Sequence, residues 1–325
     1  MSSLPDTNLF GKKDWSKMIE HSSNLNHITP IKVVTFFASF LIALFSLFFF
    51  FFPEISPAIA VLVTGFILTG IPHGALDIFL MRKIFNSSLK MLLFGLLLYL
   101  TLAIPVILTW TLFPTMCFIF FLIYSLAHFA DSDIQSISLK QGEWWIQFFS
   151  RFSLPFSLSF IFYRSETSQL VSWVHADIKL NDLASVLFFL GIFSLAFVVI
   201  NTYLNLKLFL KAQENLGWSS FEPLFIAGIF ILLPPLYAFS FYFCLVHSVK
   251  HIFNVFKRTK IDNLAYILPY WLIPLLGLPV IFSIYSNNSH ALDQKTFQYI
   301  IIMLSGLALP HSLLIRYAKK RSLLN

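Results

Sequence analysis

An all-α, polytopic transmembrane helical bundle is what this sequence predicts, on three observations. Hydrophobic residues make up 58% of the chain and charged residues only 11%, where a soluble domain is about half apolar and about a quarter charged. Apolar runs of the roughly 20 residues that cross a hydrocarbon core of about 30 Å recur from Ile31 almost to the C-terminus. Of the 22 Lys and Arg residues, all but three fall on one side of the spans that these runs define, the asymmetry expected of cytoplasmic loops.

The elements follow in order. Residues 1–30 are polar, carry Lys12, Lys13 and Lys17, and lack a small-residue cleavage site, so they read as a cytoplasmic tail and not as a signal peptide. A single transmembrane domain occupies residues 31–320, and residues 321–325 form a short C-terminal tail. The first span, about 32–52, contains the Phe-rich run Phe48 to Phe52, read as lipid-facing filler. Spans at about 57–81, 90–112, 114–130, 144–163, 183–206 and 220–233 come next. Pro234 and Pro235 then interrupt one long apolar run and force either a tight hairpin or a broken helix. Spans at about 236–254, 264–285 and 297–317 complete the bundle.

About ten spans with both termini cytoplasmic leave only Arg164, Lys179 and Lys295 outside. Merging the segments around Pro234 and Pro235 would put Lys257, Arg258 and Lys260 on the wrong side; eight spans is the alternative. The same distribution accounts for the net charge of +7 as a topology signal, and it excludes a nucleic-acid patch. The chain is expected to sit as a multi-pass protein in the inner (plasma) membrane. Cys117 and Cys244 both lie inside apolar stretches and read as small buried hydrophobes, with no disulfide framework and no thiolate metal site.

Ionisable groups inside a bilayer are expensive, so each needs a partner or a function. His21 and His27 fall in the tail, and His175 and His290 in outer loops. The other five of the nine histidines, His73, His128, His247, His251 and His311, lie in predicted helices, each toward the cytoplasmic end. His247 and His251 are four residues apart, which puts both on one helix face. Four helices thus present neutral imidazole at one level, a ligand type suited to iron, copper or zinc. A ligating histidine normally gives its other ring N–H to a carboxylate or carbonyl. Asp77, four residues after His73 on the same face, is the best candidate for that role. Asp131 and Asp133 follow His128 and divide between that role and interfacial charge. Glu222, before Pro223, is placed at the outer start of its span, far in depth from the histidines, as a helix N-terminal residue.

The runs Gly70-Ile71-Pro72-His73-Gly74-Ala75-Leu76-Asp77, Leu126-Ala127-His128-Phe129-Ala130-Asp131-Ser132-Asp133, His247-Ser248-Val249-Lys250-His251 and Leu309-Pro310-His311 resemble, in order and spacing, the Brp/Blh family. These are polytopic bacterial and archaeal β-carotene 15,15′-dioxygenases that supply retinal, often to microbial rhodopsins. The resemblance covers roughly residues 55–320. It implies that His73, His128, His247 and His251 are the catalytic iron ligands, and that His311 is a ligand or supports one. Ala130 departs from the glycine expected there, which bears on helix packing and not on the ligands.

What then follows is a carotenoid-cleaving dioxygenase with non-haem Fe(II) and O2 as co-substrate. Its product is two molecules of all-trans-retinal from the central double bond. Two carbonyls formed from one C=C bond use both oxygen atoms and need no external reductant, in keeping with a sequence that has no Rossmann fingerprint and no P-loop. β-Carotene dissolves in lipid and would reach a site inside the bilayer directly. Tyr237, Tyr242, Trp271 and the phenylalanines are available to wall a substrate tunnel, and Pro234, Pro235, Pro274 and Pro279 to break helices around it. Two readings from other classes are a non-catalytic carotenoid- or retinal-binding accessory protein and a transporter with a histidine proton relay.

Overall fold

The computed structural model describes residues 55–85, 88–134, 141–175, 180–210, 218–259 and 292–321. The chain divides into the units Met1–Pro53 and Glu54–Asn325, and every described residue belongs to the second. The expected spans 32–52 and 264–285, with Trp271, Pro274, Pro279, His21, His27 and His290, lie outside the described residues.

All regular structure among the described residues is helical. The helices are α1 (Pro57–Ile84), α2 (Leu89–Thr109), α3 (Pro114–Ile134), α4 (Gln141–Phe152), α5 (Leu154–Phe162), α6 (Arg164–Val174), α7 (Ala184–Leu210), α8 (Trp218–Leu232), α9 (235–259) and α10 (Leu292–Lys320). Five of them, α1, α2, α3, α7 and α10, are long and apolar enough to cross a membrane. On α2 and α7, Leu93, Leu97, Phe189 and Val199 stay largely exposed, the side-chain placement that lipid tolerates and water does not.

Two expected boundaries change. The span expected at 144–163 is two short helices, α4 and α5, parted at Ser153. Pro155 lacks the N–H that would continue the ladder, so the chain restarts there. At Pro234 and Pro235 the structure takes the hairpin. Helix α8 ends at Leu232, Pro234 is extended (φ −54°, ψ 150°), and α9 starts on Pro235. The two helices fold back so that Glu222 on α8 meets Lys250 on α9 at 2.7 Å.

Four helices run in one direction. At one end the main-chain N–H of Ser56, the N-cap of α1, donates to the Asp293 carboxylate in the first turn of α10 at 3.1 Å. At the other, Lys83 on α1 donates to the Thr259 carbonyl of α9 at 3.1 Å, and Lys319 on α10 pairs with Asp131 on α3 at 3.5 Å. The basic residues Arg82, Lys83, Lys257, Arg258, Lys319 and Lys320 close α1, α9 and α10 at this second end. Lys and Arg in the last turn also complement the helix dipole. Between the histidine level and this end, Leu76, Leu80, Val255, Ile315 and Ala318 form a dry plug.

Candidate metal centre

Local chemistry shapes α1 around His73. Ser56 caps the helix by accepting from the Ile59 N–H at 3.4 Å, and Pro57 occupies the first turn, where its missing donor is harmless. A second proline, Pro72, falls mid-helix. Immediately before it, residues Phe66–Gly70 open into a π-helical stretch, with the Ile71 N–H reaching the Phe66 carbonyl. A wide turn of this kind absorbs the proline ring that a regular α-turn would exclude. Helix α9 has its own π-helical stretch at Phe241–Ser248, and the two stretches pack on each other. A Cβ added at Gly65 would fall 2.8 Å from Cys244 Sγ, so a glycine opposite a buried cysteine sets the approach. Cys244 is the small buried group that the sequence suggested.

All five helix-borne histidines converge. The ring centroid of His73 lies 4.3 Å from that of His251, 4.7 Å from His311 and 5.3 Å from His247. His128 closes the group at 5.2 Å from His311 and 5.6 Å from His247. Four of the five are clearly buried, at 6% exposure or less, and His128 is half-buried. His175, at the end of α6, stays apart.

Outer partners engage three of these rings, and for two of them they fix which nitrogen donates. His311 Nδ1 lies 2.8 Å and 2.9 Å from the two Asp77 oxygens, and His247 Nδ1 lies 3.2 Å from Asp133 Oδ1. A carboxylate only accepts, so the proton sits on Nδ1 and Nε2 is left as a lone pair. Ser312 Oγ meets His128 Nδ1 at 2.8 Å. Four buried ring nitrogens have no hydrogen-bond partner: His73 Nδ1 and the Nε2 atoms of His128, His247 and His251. Each such orphan costs about 1–3 kcal/mol if left unsatisfied. His73 Nε2 faces His311 Nε2 at 3.1 Å, which is also about the separation of two nitrogens on adjacent positions of one ion with bonds near 2.1 Å. Ligand atoms of His73, His128 and His311 lie within 4.8 Å of one another, so this buried three-histidine group could hold a metal ion. The donor set fits a first-row transition metal: imidazole nitrogens, with the outer nitrogens of His247, His311 and His128 engaged by carboxylates or hydroxyl.

Several expectations are corrected. Asp77 does engage a histidine ring, but that of His311 on α10 and not that of His73 on its own helix. A residue and the one four later share a helix face but point outward side by side, whereas His311 faces Asp77 across the packing. Asp133 is buried and carries His247 together with the Tyr242 hydroxyl at 2.9 Å. Asp131, three residues after His128, takes the ion pair with Lys319.

Glu222 is the clearest departure. It is buried, accepts from Arg151 Nη2 at 3.1 Å and from Lys250 Nζ at 2.7 Å and 2.8 Å, and Lys250 also donates to the Asp133 main-chain carbonyl at 2.6 Å. Counting spans from a cytoplasmic tail puts Glu222 on the same side as Lys207 and Lys211, at the histidine level, and the proline beside it obscured this.

Tyr99, Tyr242, Ser312, Arg151 and Lys250 complete the surroundings. The sequence did signal some of them: Tyr99 is the one tyrosine of a Leu-rich α2, and Arg151 and Lys250 are charges within apolar segments. Tyr242 was expected in a tunnel wall, but its hydroxyl serves Asp133.

A cavity of about 410 Å³ opens from the histidines, lined by His73, His128, His247 and His311 and otherwise mainly by apolar residues of α1 and α10. Along α1 its wall runs from Val63 to Met81, so it extends about 15 Å before His73 and about 12 Å after it at 1.5 Å per residue. A second apolar chamber, of about 120 Å³, shares Phe121, Ser125, Phe129 and Phe239 with the first. Tyr237 is in neither wall.

Comparison with known proteins adds the following. A family model described as Beta-carotene 15,15'-dioxygenase matches residues 64–319. A protein of that name from the uncultured marine bacterium 66A03 is 27% identical over 266 residues, covering 77% of this chain and 90% of that protein. No solved structure matches the chain.

Proposed function

The chain belongs to the β-carotene 15,15′-dioxygenase family, a family of oxidoreductases, and from that premise we propose that it cleaves the central 15,15′ double bond of β-carotene with O2 to give two molecules of all-trans-retinal. The observation that carries the proposal is the position of the histidine group partway along an apolar cavity, with wall on both sides of His73. A symmetric polyene cut in the middle needs room for both halves, and a site at the end of a blind pocket would favour an eccentric cut.

His73, His128, His247 and His251 are the proposed iron ligands. His311, with Nε2 in the group and Nδ1 on Asp77, joins them as a further ligand. Iron(II) held there would supply the redox chemistry that lets O2 react with the alkene. In the balance, one C=C bond breaks, two C=O bonds form, and each product takes one oxygen atom. No proton or external electron enters.

The chain's own residues prepare this chemistry. Asp77 and Asp133 hold the protons of His311 and His247 on Nδ1 and so keep both Nε2 lone pairs inward. Phe129 stands edge-on to His247 with centroids 4.5 Å apart, and it forms part of the cavity wall together with Phe243. Such faces hold the polyene flat and stabilise positive charge that develops along it. The plug of Leu76, Leu80, Val255 and Ile315 keeps water from the site on its charged side.

The parallel arrangement of α1, α3, α9 and α10, with the basic ends of α1, α9 and α10 together, supports a cytoplasmic placement of those ends in the inner membrane. Lipid is then the source of substrate, and retinal released into it is available to a microbial rhodopsin.

The test is expression in bacteria that make β-carotene, followed by product analysis with purified protein. Bleached cells and retinal as the single product are expected. Unchanged pigment with well-expressed, iron-loaded protein would sink the assignment, and longer or shorter apocarotenals would sink central cleavage.

A further inference from the structure

Glycine in a helix interior is less stable than alanine by about 1 kcal/mol, so an embedded glycine is expected to have a packing reason. Several here do. A Cβ on Gly95 would lie 2.7 Å from the Phe85 ring, one on Gly306 2.6 Å from Ile107, and one on Gly65 2.8 Å from Cys244. Gly74 does not. No described atom comes within 4 Å of its missing Cβ, and it is exposed while its neighbours His73, Ala75, Leu76 and Asp77 are buried. Yet Gly74 belongs to the cavity wall. It sits in the stripe Ile67, Ile71, Gly74, Ile78, Met81, whose spacing of four and three residues puts all five on one face of α1. Every other member of that stripe is bulky and apolar. Gly74 is a notch in the wall, level with the histidines and open to the outside of the bundle.

We propose that Gly74 is a specificity-determining position at a lateral portal, through which a long apolar polyene enters from the lipid and lies against the backbone of α1 beside His73. This deepens the carotenoid reading of the site and rests on it. Met303, Leu304 and Leu307 of α10 line the same cavity, and Leu307 is itself 37% exposed. The wall around Gly74 is thus mainly apolar, and the charged end of α1 lies about two turns further on. A polyene is thin and rigid, so it passes a notch one side chain wide, and a side chain at this position would meet it where its central carbons come level with the metal ligands.

The test compares full-length wild type with Gly74→Leu and Gly74→Ala, using Gly228→Ala as control. Gly228 also has open space at its Cβ but lies outside both cavity walls. Retention of β-carotene is measured anaerobically by absorbance on purified, iron-loaded protein, and cleavage kinetics are measured in air. Gly74→Leu is expected to keep wild-type iron content and helical circular dichroism, while β-carotene retention falls by roughly tenfold or more, as for a blocked pocket mouth. Gly74→Ala is expected to raise the melting temperature, because a helix glycine is removed, and to raise KM several-fold with kcat little changed. Gly228→Ala should raise the melting temperature and leave KM alone. Wild-type retention and KM in Gly74→Leu would overturn the portal. If Gly74→Leu does not fold, an unchanged KM in Gly74→Ala overturns it equally. A wild type that cleaves normally beside unaffected variants removes the portal alone, whereas a wild type that neither holds nor cleaves the polyene removes the carotenoid reading with it.

Discussion

Two carboxylates orient histidines of this centre, and they do so from opposite kinds of surroundings. Asp77 accepts from His311 Nδ1 and from the Tyr99 hydroxyl at 2.7 Å, has no Lys or Arg partner among the described residues, and lines the cavity. Asp133 accepts the same pair of donor types, His247 Nδ1 and the Tyr242 hydroxyl. Behind Asp133, however, stands an ionic lattice of Lys250, Glu222 and Arg151, extended by Gln147, whose amide donates to Asn201 at 2.6 Å. A buried carboxylate with no cation close by is costly. For Asp133 the protein supplies the cations. For Asp77, which has no Lys or Arg partner among the described residues, the compensating charge is the metal ion proposed on the far side of His311. The contrast assigns electrostatic tuning to Asp77 and mechanical anchoring to Asp133.

Removing a shared ligand gives the largest effect and sets the reference. His247→Ala or His73→Ala should bring iron content and retinal formation to background together, read by metal analysis and product chromatography. Retained iron with lost activity would move these residues out of the ligand set.

Next in size is Glu222→Gln, which leaves the buried Arg151 and the half-buried Lys250 under-compensated. Breaking such a pair destabilises by about 3–5 kcal/mol, so thermal unfolding should show a marked loss even without iron. A wild-type melting temperature would mean that the lattice does not anchor the Asp133 side.

The pair Asp77→Asn and Asp133→Asn tests the contrast directly. Asp77→Asn should weaken iron binding by about 10–100-fold while the iron-free protein melts near the wild-type temperature, because no protein cation is stranded. Asp133→Asn should lower the melting temperature of the iron-free protein as well. Equal behaviour of the two variants would erase the distinction. The smallest effect belongs to Ser312→Ala, which frees His128 Nδ1. A loss of iron affinity by less than about tenfold is expected, since a hydroxyl partner is replaceable by water.

Much of this centre is readable from the amino-acid sequence because a bilayer makes ionisable residues conspicuous. Histidine in an apolar helix stands out, and the basic residues after each helix report its depth. That logic locates all five histidines and singles out Asp77. It cannot pair them, because the partner of Asp77 is 234 residues away and pairing depends on which helix faces meet. The break at Ser153 and the burial of Arg151 were hidden inside an apolar run that read as one span. The π-helical stretches leave no periodic signal beyond Pro72 itself. Glu222 was misplaced because a local feature, the proline after it, outweighed the alternation of spans.

The π-helical stretch Phe241–Ser248 has a consequence for how this chain can change over generations. A π-helical turn carries one residue more than an α-turn, so it behaves as a stored insertion. Deleting a single residue there would let the turn close into regular α geometry with the flanking segments kept in phase, whereas a deletion in the regular helix beyond it would turn everything before the deletion by about 100°. His247 lies within the stretch and His251 just beyond it, so closing the turn would redirect His247 against its neighbours while His251 stayed in place. Substitutions can drift through this helix one side chain at a time, whereas its length is held fixed.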